Sequence, residues 1–127
     1  MNIKTALLCL AAFGAGSAFA HHSVAVNFDQ SSEITIEGRL TVVAWRNPHS
    51  HLRLNVADAG GAEWLVEFGA INTMKRSGFQ TDRFLAGDLI SVTGWPGHRD
   101  RTMYFLEATL EDGTRLVCAG ASCAQER

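Results

Sequence analysis

The chain has 127 residues, of which 46% are hydrophobic, 19% are charged and only 2 are prolines. This length suits a single domain, and the composition excludes collagen-like, low-complexity and disordered chains. The formal net charge of -2 leaves no overall positive field for holding nucleic acid phosphates or an anionic membrane surface, so nucleic-acid binding is not expected.

Residues 1–20 have the pattern of a secretory signal peptide. A basic start that ends at Lys4 precedes an apolar stretch, and Ala18-Phe19-Ala20 places small residues where signal peptidase cleaves. A retained membrane anchor is the alternative, but the apolar stretch is shorter than the roughly 20 residues of a membrane-spanning helix. Lipidation at Cys9 is disfavoured because Cys9 lies inside the apolar stretch. We predict cleavage after Ala20 and a periplasmic or secreted protein that has no membrane contact after cleavage.

Two of the three cysteines, Cys118 and Cys123, lie near the C-terminus of the predicted mature chain. An exported protein can keep such a pair oxidised, so we predict a local disulfide in a tail of residues 118–127 that follows a domain of residues 21–117. The alternative is a pair of thiolate metal ligands. The Cys-Ala-Gly-Ala-Ser-Cys spacing argues against it, since it is longer than Cys-x-x-Cys and no histidine follows.

Alternating hydrophobicity predicts a meander of three strands after the signal peptide. The first strand covers Glu33–Trp45 and contains Gly38, a candidate for a bend or a bulge. The second covers His51–Val56, and the third follows a Gly-Gly turn and alternates through Trp64 and Phe68. The predicted core includes the aromatic side chains of Trp45, Trp64 and Phe68.

A short helix and further strands are predicted to follow the meander. Asn72 is a candidate N-cap and Gly78 a candidate C-cap of the helix. Later strands are predicted over Leu89–Gly94, Met103–Leu110 and Thr114–Val117, which makes five or six in total. This order is typical of an all-β fold with one short helix, a small OB-fold-like antiparallel β-barrel. Another small antiparallel barrel or sandwich would share the pattern, because periodicity does not reveal strand order.

The histidines carry most of the functional signal. All five lie after residue 20, at His21, His22, His49, His51 and His98. A histidine at a processed N-terminus offers its α-amine and its ring as a chelating pair, and a second imidazole completes a histidine brace. Nitrogen-rich sites of this kind favour Cu(II). The free α-amine has a pKa near about 7.7–8.0, so a metal displaces its proton easily at neutral pH.

The second imidazole has candidates in Asn47-Pro48-His49-Ser50-His51. Pro48 stiffens this turn and presents His49 in a defined direction, and an extended backbone would put His49 and His51 on one face. The alternative is that both are ordinary surface histidines beside a turn. We predict a copper site formed by His21, His22, His49 and His51.

The other side chains considered indicate structural rather than catalytic roles. Trp95 and His98 flank a predicted loop, where they would line a cleft or cap the barrel. The sequence contains no Gly-x-Ser-x-Gly, phosphate-binding glycine loop or His-Glu-x-x-His motif, and its basic residues are scattered among acidic ones, so an aromatic and basic nucleic-acid groove is not predicted.

Several motifs resemble an exported proteobacterial family that is classed only as a domain of unknown function. They are His21-His22-Ser23, Phe28-Asp29, Ile36-Glu37-Gly38, Trp45-Arg46-Asn47-Pro48-His49-Ser50, and Gly87-Asp88 with Val92-Thr93-Gly94. The resemblance implies a small exported domain and points to His21, His22 and His49, but it brings no activity. His51 and His98 depart from the family's pattern, and the cysteine pair lies outside it.

Two hypotheses follow from the sequence. The first is a periplasmic metal-binding protein that sequesters or delivers Cu(II), with the metal ion as its partner. The alternative is a metal-free OB-like module that binds a small ligand or another periplasmic protein. Neither is an enzyme. A copper oxygenase would use the same brace, but a chain this short offers little beyond the barrel for positioning a substrate.

Overall fold

The structure, a computed structural model, describes residues 24–119 and 122–125. The predicted signal peptide, His21 and His22 lie outside these residues. The strands are β1 (Ile34–Ala44), β2 (Ser50–Val56), β3 (Ala62–Phe68), β4 (Leu89–Pro96), β5 (Thr102–Leu110), β6 (Arg115–Ala119) and β7 (Ser122–Gln125). The helix α1 covers Ile71–Arg76, residues 24–27 are also helical, and 3-10 turns cover Ala57–Ala59 and Thr81–Arg83. Within the described part of the chain, no helix has the length and apolar character needed to cross a membrane.

The first five strands close into a barrel. The described strands form one sheet in the order β3-β2-β1-β4-β5-β6-β7, and an additional pairing joins β3 to β5. That closing pair is parallel, whereas the other pairs are antiparallel. The helix α1 lies between β3 and β4 in the chain. The predicted small OB-fold-like barrel is confirmed, and the pairings supply the strand order that periodicity did not reveal.

Strand β1 is long because its two halves pair with different strands. Its first half pairs with β4 and its second half pairs with β2. A Cβ on Gly38 would stand 2.7 Å from the carbonyl oxygen of Asn55, so glycine lets β2 approach closely where β1 changes partner. The predicted bulge position at Gly38 is wrong, because the register shift between β1 and β2 lies between Leu40 and Val42.

The start of α1 differs from the sequence prediction. Its N-cap is Ala70, which makes no side-chain cap, and Asn72 lies inside the helix. The backbone N–H of Asn72 instead donates to Oδ1 of Asn47 at 3.4 Å. The predicted N-cap is therefore wrong, because a side chain from the β1–β2 loop supplies the acceptor that a local cap would provide. The C-cap is Ser77, so the predicted C-cap is one residue too late, and Gly78 is the next residue, with the left-handed φ of +80° that commonly ends a helix.

The barrel interior is filled by large apolar side chains. Those that are almost fully buried are Phe68, Phe105, Leu40, Leu52, Leu54, Met74, Ile90, Met103, Leu116, Val66 and Val92. The prediction that Phe68 belongs to the core is confirmed, and Trp45 and Trp64 pack against the core while remaining partly exposed. Residues of β2 and β3 that face away from this core form the outer surface on which the candidate site lies.

The C-terminal hairpin extends the sheet beyond the barrel. The sequence predicted five or six strands, whereas the described residues form seven, with β7 pairing with β6. Cys118 is buried on β6, and the register puts it directly opposite Cys123 on β7. Directly opposed residues of an antiparallel pair have Cα atoms about 4.5–5.5 Å apart, which is within the Cα separation of a disulfide.

We expect Cys118 and Cys123 to form a disulfide in protein purified without reductant. The closed loop is short, so reduction should lower the free energy of unfolding by only about 2–3 kcal/mol. Thiol labelling followed by intact mass measurement tests the bond, and a Cys118→Ser variant serves as the unbridged control. Two labelled thiols in the native, unreduced protein would contradict the prediction.

Candidate functional site

One row of paired residues runs around the barrel from the end of β1 to the end of β4. The strand pairings run from Ala44 to His51, from His51 to Glu67, from Glu67 to Tyr104 and from Tyr104 to Trp95. This row crosses β1, β2, β3, β5 and β4 in turn. The row therefore places Tyr104, close to the β4–β5 turn, two strands away from His51, which follows the β1–β2 loop.

The β1–β2 loop presents two of the predicted ligands. Ser50 lies between them and is fully buried, with its Oγ donating to the carbonyl oxygen of Arg46 at 3.0 Å. The backbone N–H of Ser50 donates to the carbonyl oxygen of Gly69 at 3.1 Å, which holds the loop against the end of β3. Because Ser50 points inward, His49 and His51 lie on the outer side, where His49 is exposed and His51 is half-buried.

A second group of aromatic rings lies outside the barrel core. Tyr104 stacks on Trp95 with ring centroids 5.9 Å apart and meets Phe28 at 5.5 Å. We call Phe28, Trp95 and Tyr104 the outer aromatic cluster. Phe28 is 5% exposed and Tyr104 is 7% exposed, although neither belongs to the barrel core. Their burial shows that the segment carrying Phe28 packs firmly on this face.

Residues 27–29 form a strap that holds the N-terminal segment on β4. The backbone N–H of Asp29 donates to the carbonyl oxygen of Pro96, and that of His98 donates to the carbonyl oxygen of Asn27, both at 2.9 Å. Phe28 forms a β-bridge with Gly97 between these two bonds. The strap attaches residues 27–29 to the end of β4 and to the β4–β5 turn.

Trp95 and His98 both lie next to the strap. Trp95 lies in the outer aromatic cluster, half-buried, and His98 is exposed at the β4–β5 turn. Sequence reasoning did not single out Tyr104, and it named Phe28 only within a motif. Alternation along β5 does not separate Tyr104 from its core neighbours, since residues 102–105 are all buried.

Burial raises the pKa of the Tyr104 hydroxyl above its ordinary value of 10.0, and the negative charge of Glu67 adds to the effect. Tyr104 is the only tyrosine, so ultraviolet titration of phenolate reports on it alone. We expect it to ionise at higher pH in the folded protein than in urea, and Phe28→Ala to reduce this difference by uncovering the ring. The unfolded chain then loses the proton first, so stability should fall as the pH rises above about 10. Identical titration curves for folded and unfolded protein would contradict this expectation.

The two described histidines do not by themselves complete a metal site. Within the part of the chain that the structure describes, no three His, Cys, Asp or Glu side chains converge as a group able to hold a metal ion. His49 and His51 offer two imidazoles, and Glu67 lies opposite His51 on β3. His21 and His22 lie outside the described residues, so a three-nitrogen site would need the segment that precedes the strap.

Comparison with known proteins gives this chain a family but no activity. No curated protein is a significant match for it. The model of a family of unknown function, DUF6152, matches residues 7–104, which include all five histidines and end at Tyr104. The cysteine pair lies beyond the matched residues. Since the match covers well over half of the chain, the protein belongs to the family of unknown function DUF6152.

Proposed function

We propose that this protein is exported, is cleaved after Ala20 and binds one Cu(II) ion, which it sequesters or delivers in the periplasm. In this proposal His21 supplies its α-amine and its imidazole, and His49 supplies the opposing imidazole. His22 and His51 are auxiliary ligands. Three nitrogen donors suit Cu(II) better than the hard cations that prefer oxygen.

The strap is the single observation that carries the proposal. It fixes residues 27–29 beside Tyr104, which pairs with Glu67, which in turn pairs with His51. Neighbouring strands are about 4.8 Å apart, so His51 is about 10 Å from Tyr104 across the sheet. The backbone N–H of Phe28 donates to the carbonyl oxygen of Val24 at 2.9 Å, and residues 24–27 are helical.

The remaining ligands of this proposal come from the chain that precedes the strap. Two residues separate His21 from Val24, the first described residue of the segment that leads into the strap. In the proposal, binding of Cu(II) joins this segment to the β1–β2 loop. His98 lies against the strap in the β4–β5 turn, whereas His49 lies in the β1–β2 loop. His98 is therefore not included among the proposed ligands.

The proposal is tested by two measurements on protein recovered from the periplasm. Mass spectrometry should find a mature chain that begins at His21. Calorimetric titration of that metal-free chain with Cu(II) should show one saturable site, and electron paramagnetic resonance should show nitrogen coordination. A mature chain that begins at another residue, or the absence of a saturable Cu(II) site, would overturn the proposal in favour of the metal-free module.

A further inference from the structure

A cleft of about 430 Å³ opens on the outer face of β2 and β3. It lies one row along the barrel from His51 and Glu67, since Arg53 pairs with Leu65 and Leu65 pairs with Thr102. Its volume is within the range of small-ligand sites, roughly 300–1,000 Å³. The proposed copper site uses none of the side chains that line it.

Three guanidinium groups surround this cleft. Arg53 comes from β2, and Arg99 and Arg101 come from the β4–β5 turn. The mature chain is predicted to be acidic, with 10 basic and 13 acidic residues after residue 20. The lining sets these three arginines against two acidic residues, Glu63 and Asp100, so its net charge is positive whereas that of the mature chain is negative. Arginine is the side chain best suited to pairing with a planar carboxylate through two parallel hydrogen bonds.

The β4–β5 turn holds its arginines in place. The backbone N–H of Gly97 donates to the carbonyl oxygen of Thr102 at 2.8 Å, and the Thr102 hydroxyl donates to the carbonyl oxygen of Arg99 at 2.6 Å. Arg101 has φ +52°, a left-handed conformation that disfavours a side chain. Its carbonyl oxygen accepts the N–H of Leu65 at 2.9 Å, so the closure of the barrel fixes this conformation.

The acidic neighbours of the arginines are paired with them only at the surface. Arg53 pairs with Glu63, Arg99 lies 3.6 Å from Glu67, and Arg101 lies 3.1 Å from Asp100. Arg99 is the most exposed of the three, at 70% of its side chain. Exposed ion pairs contribute little to stability, so a ligand can replace them at low cost.

The lining also favours a ligand with a carbon chain. Leu65 contributes an apolar surface between the charged groups. Inorganic phosphate is too small to fill the cleft and has no apolar part to place against Leu65. A short hydrocarbon chain that carries separated carboxylates would meet the arginines and the leucine together.

We propose that this cleft binds a small di- or tricarboxylate, with Arg99 and Arg101 pairing with its carboxylates and Leu65 contacting its carbon chain. Arg53 provides a third contact when it leaves Glu63. The proposal does not depend on copper binding, and its test uses metal-free protein.

Calorimetric titration with citrate and with succinate tests the proposal. We expect saturable binding that weakens about tenfold in Arg99→Gln and in Arg101→Gln, because each change removes one charge-assisted pair. Arg76→Gln removes an equal charge from the exposed end of α1, outside the cleft, and should leave the affinity unchanged. Inorganic phosphate at the same ionic strength should bind more weakly than either carboxylate.

Three results would overturn it. They are the absence of saturable binding of both carboxylates, equal binding of phosphate, and equal affinities in wild type, Arg99→Gln and Arg101→Gln. Circular dichroism of each variant separates a lost contact from a lost fold, and the Arg99 variant does not alter the left-handed position of the turn.

Discussion

Replacing His49 with alanine is expected to weaken Cu(II) binding by at least about 100-fold. Loss of a side chain that only orients a ligand costs roughly 10- to 100-fold in metal affinity, and loss of a ligand itself should cost no less. His49 is exposed in the β1–β2 loop, so the substitution should leave the barrel folded. Calorimetric titration of the two proteins measures the difference directly.

One additional residue ahead of His21 should do comparable damage. The extra residue leaves the imidazole of His21 in the chain but places the α-amine on a different residue. The amine and the His21 imidazole then no longer form the proposed chelate ring. His98→Ala is the matched control, because His98 is also an exposed histidine and its bond to Asn27 uses only the backbone. Equal copper affinity in wild type, His49→Ala and the extended protein would contradict the proposed site.

Copper affinity is also expected to fall as the pH is lowered. The amine and the imidazole nitrogens bind the metal only after losing their protons, so protons compete with Cu(II) for every proposed ligand. A site formed by carboxylates alone would lose much less affinity for the same fall in pH, because carboxyl groups have lower pKa values than amines and imidazoles.

Replacing Phe68 with alanine should lower the free energy of unfolding by about 3–5 kcal/mol. The ring is 1% exposed and stacks on Phe105 at 4.3 Å between centroids. The edge of Trp45 meets it at 5.2 Å. Truncation would leave a cavity among rings that β1, β3 and β5 hold in position, and a closed barrel has little freedom to collapse around it.

Urea unfolding measures this loss, and Leu85→Ala provides the control. Leu85 is 60% exposed, so its truncation should change stability by no more than about 0.5 kcal/mol. A loss below about 1 kcal/mol for Phe68→Ala would show that the aromatic packing around this ring contributes little.

Much of the fold was predictable because the signals are local. Alternation along the chain identified β2 and β3 and the inward position of Phe68, since successive side chains of a strand point to opposite faces. The glycine at the end of α1 was predictable for the same reason, as Gly78 adopts the positive φ that follows a helix. The N-cap of α1 was not, because its acceptor is Asn47, which is distant in sequence.

The candidate site was predictable only in its residue types. The histidines and the Asn-Pro-His turn are visible in the sequence, as is the short interval between His49 and His51. The strap, the outer aromatic cluster and the arginine cleft are not, because each combines residues from strands that no local pattern relates. Arg53 and Arg99 are separated by two strands and a helix in the chain but share one cleft.

By itself, the sequence determined that this chain forms a small all-β barrel, and it determined which side chains offer metal-binding chemistry. Only the tertiary structure decided which distant residues become neighbours on the barrel. The parallel pairing of β3 with β5 sets Glu67 beside Tyr104, and the strap attaches residues 27–29 to the end of β4. Both depend on backbone hydrogen bonds between distant segments, and such bonds leave no periodic mark on side-chain hydrophobicity.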